Sequence, residues 1–111
     1  MEITPRHYGN VLVLDMIGRL DKATSGNAHD AVVGFANTGA KRMVLNLDKL
    51  DYVTSAGLHV ILMLAKLLQS SNGELKICRA NANVKEVLET SGFNSLIEMF
   101  DDEKAAIASW S

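Results

Sequence analysis

Between Met43 and Leu68 a short apolar run meets a long apolar-striped segment across a polar turn, and this junction constrains the fold more than any other stretch. Met43-Val44-Leu45-Asn46-Leu47 has the length and aliphatic content of a buried strand. Beyond Thr54-Ser55-Ala56-Gly57, the residues Leu58, Ile61, Leu62, Ala65 and Leu68 recur at helical spacing. Met63, Leu64 and Leu67 widen that stripe beyond one buried face, so it fits core packing or a docking surface. The pattern is that of a strand feeding a helix, with Ser55 at the junction. A helix start leaves its first backbone N–H groups unpaired, so a serine there either caps them or offers a favourable place for a phosphate.

The rest of the chain repeats the alternation. Met1 to Arg6 is expected to form an edge strand, and His7-Tyr8-Gly9-Asn10 a turn into the apolar run Val11 to Gly18. Gly18-Arg19-Leu20-Asp21 breaks that run, after which Thr24 or Ser25 is the candidate cap of a helix reaching about Asn37. Thr38-Gly39-Ala40 supplies its stop. Glu74 to Cys78 reads as the next strand, and Asn81 or Asn83 as the cap of a helix carrying Val84, Val87 and Leu88. Phe93 to Phe100 holds a last short apolar run, and Asp101-Asp102-Glu103 places acids at the start of a final helix, where they suit its dipole. Strands alternating with helices after an initial hairpin predict an α/β fold built on a small mixed sheet, one domain over residues 1–111.

Composition excludes several classes of function. With 48% hydrophobic residues the chain can bury a core, and a formal charge of −2 with interspersed acids and bases argues against nucleic acid as a partner. The N-terminus carries no secretory signal pattern and each long apolar stretch is broken by polar residues, so a cytoplasmic protein without direct membrane insertion is expected. His7, His29, His59 and the lone Cys78 have no metal-site spacing, and neither a P-loop nor a dinucleotide fingerprint occurs, so no metal or cofactor is expected. Cys78 lies in an apolar run and reads as a buried, quiet thiol. Asp15 and Asp48 lack the acidic pair of a phosphoacceptor site. Asp48 and Asp51 sit near Ser55, but Ser55 has no readable base or nucleophile elbow around it. An enzyme is not expected.

Leu50-Asp51-Tyr52-Val53-Thr54-Ser55-Ala56-Gly57-Leu58-His59-Val60-Ile61-Leu62, preceded by Val44 to Leu47, resembles the signature of the STAS domain, the anti-sigma factor antagonist family. Gly18-Arg19-Leu20-Asp21, Glu74 to Cys78 and Ser91-Gly92-Phe93 fall in the family's order. The resemblance implies a mixed β-sheet with helices packed mainly on one face. It also implies a partner, a serine kinase that doubles as an anti-sigma factor, bound by the bare antagonist and released once the kinase has phosphorylated a serine. A serine phosphatase reverses the step. On this alignment Ser55 is the phosphorylated serine, and Asp21, Thr54, Ser55, Ala56, Gly57 and His59 form the partner-binding surface. Family members of the sporulation and stress-response type usually carry Asp before that serine, where this chain has Thr54, an alternate acceptor. The other role open to such a domain is a scaffold or subunit module of a stress-sensing or lipid-transport assembly, with no phosphoswitch.

Overall fold

In the computed structural model, which describes residues 1–111, strands β1 (Glu2–Tyr8) and β2 (Val11–Leu20) form an antiparallel hairpin with Tyr8 opposite Val11. β1 therefore runs two residues further than expected, through His7 and Tyr8, and the turn is Gly9-Asn10 alone. Helix α1 (Lys22–Ala36), β3 (Arg42–Asn46), β4 (Leu50–Val53), α2 (Ser55–Ser70), β5 (Glu74–Cys78) and α3 (Ala82–Thr90) follow. A single 3-10 turn (Phe93–Ser95), β6 (Glu98–Phe100) and α4 (Glu103–Ala108) complete the chain. The sheet order is β1-β2-β3-β5-β6, parallel from β2 onward, which is the mixed sheet expected for strands joined by helical crossovers.

Two expectations fail at β2. Gly18 does not end the strand; at φ 111° it forms an irregularity across which the chain continues to Leu20. The first half of β2 pairs with β3, and the part beyond the irregularity pairs in parallel with β4, Leu20 lying opposite Val53. β4 itself was expected to be turn, because its alternation is too short to register beside two charged residues. The strand that feeds α2 is thus β4 and not β3.

Period-two alternation divides the sheet into two unlike faces. Leu12, Leu14, Met16, Met43, Leu45, Leu75 and Ile77 point to one side, where α1, α2 and α3 close a core of 22 buried residues. Leu64 belongs to this core, and Met63 meets His29 of α1 across the α1–α2 contact, so the widened stripe of α2 serves two packing partners. The opposite side holds a second cluster of five residues, Val11, Val13, Val44, Cys78 and Ala106, covered only by α4. Helices therefore lie mainly on one face, three against one. None is long and apolar enough to cross a membrane.

Candidate functional site

The C-terminal ends of β2 and β4 bring Asp21 and Thr54-Ser55 together. The Thr54 N–H donates to the Leu20 carbonyl at 3.0 Å, which sets the start of α2 directly beside the start of α1. Asp21, not Thr24 or Ser25, is the N-cap of α1: its Oδ1 accepts from the Thr24 N–H at 3.0 Å while the Thr24 hydroxyl accepts from the Asp21 N–H. Thr24 is the third helical residue of a capping box, a role that spacing alone did not separate from that of the cap. The Thr24 N–H holds the Asp21 carboxyl below its ordinary range, so it stays ionised at the mouth of the site. Tyr52, absent from the expected site, donates its hydroxyl to Asp21 Oδ2 at 3.4 Å.

α2 begins unlike the other α-helices. Asp21, Asn81 and Asp102 each accept a hydrogen bond from the third residue of α1, α3 and α4. Thr54 occupies the same position on α2 with extended backbone, yet its side chain makes no cap bond and its buried Oγ1 has no partner. Ser55 is then the first helical residue and not the cap, so its expected capping role is not realised. Its side chain is exposed, its hydroxyl engages no group of the chain, and the N–H groups of Ser55, Ala56 and Gly57 find no acceptor. An unscreened helix start of this kind favours negative charge.

Gly57 does not belong to the surface at all. A Cβ at this position would lie 2.5 Å from the Leu20 carbonyl oxygen and 2.8 Å from Val53 Cγ2, so the glycine permits α2 to abut the ends of β2 and β4. Ala56 is half-buried and His59 exposed on the first turn. The strand entering the site is held from the far side, where Asn81 Nδ2 donates to the carbonyls of Leu50 (3.0 Å) and Asp51 (3.2 Å) besides capping α3. Asp48 pairs with Arg79 at 3.1 Å, Arg79 holding the left-handed φ of 63°. Between α2 and α3, Leu58, Glu86, Val87, Thr90 and Ser91 line a shallow groove of about 320 Å³. Cys78, by contrast, is fully buried, and burial pushes its thiol up to about 12.

This architecture agrees with comparisons to known proteins. Residues 2–106 match the model of the STAS domain, and the chain belongs to the STAS domain family. Over 110 residues it is 34% identical to BtrV of Bordetella bronchiseptica, provisionally named an anti-sigma factor antagonist, covering 99% of this chain and 95% of that protein. It is 30% identical to the anti-sigma F factor antagonist of Paenibacillus polymyxa, across 96% of this chain and 92% of the relative. Among solved structures it superposes on the antagonist SpoIIAA in its unphosphorylated form with TM-score 0.80 at 17% identity, covering 98% of this chain and 96% of that one. SpoIIAA of Bacillus in its phosphorylated form gives TM-score 0.74 at 17% identity, covering 99% of this chain and 100% of that one. At such identity the superpositions speak for the fold.

Proposed function

We propose that this protein is an anti-sigma factor antagonist whose binding to a serine-kinase anti-sigma factor ends when Ser55 is phosphorylated. The observation that carries this reading is the free Ser55 hydroxyl on a helix start without a side-chain cap. In the transfer step Ser55 Oγ bonds the γ-phosphorus of the kinase's ATP as the bond to the β-phosphate oxygen breaks, ADP leaves, and the hydroxyl proton passes to the kinase. The new group adds about −1.5 to −2 charge beside the ionised Asp21, so a partner seated over Asp21, Ser55, Ala56 and His59 meets both repulsion and bulk. Thr54 is the poorer acceptor, because its hydroxyl is buried. Gly57 acts by packing, and the protein itself needs no catalytic group. A serine phosphatase acting on the modified form restores binding.

Incubation with a serine-kinase anti-sigma factor from the same genome and with ATP is expected to add one phosphoryl group on Ser55, read by intact mass and fragmentation. Ser55→Ala is expected to stay bound to the kinase in the presence of ATP, and Ser55→Asp to lose binding. Unmodified Ser55, with Ser55→Asp binding as tightly as the parent, would overturn the reading and favour a constitutive scaffold.

A further inference from the structure

The face of the sheet under α4 is built differently from the face under α1–α3. Its apolar contribution from α4 is small, Ala106 buried with Ile107 and Trp110 partly so. The helix is held instead at both ends by polar anchors. At its start, Glu103 accepts from Arg6 Nη1 at 3.1 Å and Nη2 at 2.5 Å, and from Asn46 Nδ2 at 2.9 Å, while Arg6 also clasps Asp15 at 2.6 and 2.8 Å. Beyond its end, the Trp110 indole N–H donates to Glu74 at 2.8 Å, and Lys76 donates to the Ser109 hydroxyl. Lys76 is only 3% exposed; its ammonium lies 4.4 Å from the Trp110 ring centre, 5.4 Å from that of Phe100, and 3.4 Å from Glu98. A lysine enclosed mainly by aromatic rings and a hydroxyl regains its hydration when the cover lifts, which lowers the cost of lifting it.

From these contacts we infer that residues 102–111 form a strap that opens from the sheet on its own while the α1–α3 face stays folded, baring Lys76, Cys78 and the strip Val11, Val13 and Val44. Units held by few apolar contacts are those that open below the global unfolding transition. Opening exposes a second sheet face on the side away from α2. The strap is also tied toward the candidate site, since Asn46 donates to Glu103 and accepts from the Asp48 N–H at 3.0 Å, in the turn that leads to β4 and Ser55.

Cys78 is the sole cysteine and is buried beneath the strap, so its labelling by an aromatic disulfide reagent reports the opening directly. In the native protein the labelling rate is expected to rise with urea much more shallowly than the global unfolding constant, and amides of residues 103–110 are expected to exchange faster than those of β3 and β5. Glu103→Gln is expected to speed labelling about tenfold, the scale of losing charge-assisted bonds. Ile61→Val, in the opposite core, is expected to lower the urea midpoint yet leave labelling in the absence of urea unchanged, because closed and open forms share that core. Labelling that follows global unfolding with the same urea dependence, or that accelerates in Ile61→Val in step with its lost stability, would overturn the strap.

Discussion

Thr54 and Gly57 flank Ser55 and govern it in opposite ways, one by a contact it fails to make and the other by a contact it cannot avoid. The Thr54 hydroxyl is buried without a partner although its backbone already has the conformation of a cap. Replacing it by Asp lets a carboxylate reach the free N–H groups of α2, so Thr54→Asp is expected to stabilise the fold by about 1 kcal/mol, read as a higher urea midpoint. The opposite outcome is expected at Gly57, where a methyl group meets backbone oxygen and a leucine side chain at under 3 Å. Gly57→Ala is expected to cost about 1–3 kcal/mol in thermal or urea unfolding, with the displacement centred on the first turn of α2.

Among the elements, those with strong periodicity were legible from the chain alone. Met43 to Leu47 lies in β3 and its turn, Leu58 to Leu68 in α2, and Asn81 caps α3. Three features were not legible, each for a local reason. β4 has only four residues, two of them exposed, and its pairing with the end of β2 is a tertiary choice no spacing encodes. Gly18 reads as a break but serves as an irregularity inside a strand that changes neighbours. Asp21 reads as part of that break, although a capping box reaches from it to Thr24. Of the candidate site, a serine at a helix start was legible from the residues and Asp21 only through the family resemblance, while the contacts of Tyr52 with Asp21 and of Asn81 with β4 are tertiary and carry no pattern in the chain. α4 makes a prediction on acid stability. Arg6, then Asn46, hold the Glu103 carboxyl below its ordinary value, against burial and the charge of Asp15. A carboxylate depressed in the folded state contributes stability that is present above its unfolded value near 4.5 and lost as pH falls through its folded one. Amide protection in residues 103–110 is therefore expected to fall below pH 4.5, and Glu103→Gln to flatten that decline, as measured by hydrogen exchange across the acid range.

At the scale of the whole molecule, the modification proposed for Ser55 alters charge more than shape. The formal net charge of −2 becomes about −4 at neutral pH, the added charge lying at the start of α2. The radius of gyration, 12.4 Å, is expected to stay within error in solution scattering, while the phospho form melts slightly higher because the new oxygens meet unpaired N–H groups. A lower melting temperature with a larger radius would instead mean that phosphorylation loosens the fold. The two faces of the sheet divide the labour: one anchors the helix that presents Ser55, and the other carries a cover secured mainly by polar contacts. The close seat of Gly57 against Leu20 has a consequence for timing. Because that end of α2 has no room to recede, no slow rearrangement stands between adding the phosphoryl group and feeling it at the surface. Release of a bound partner is then expected in a single kinetic phase set by its dissociation rate, with no lag that lengthens as the solution is made more viscous.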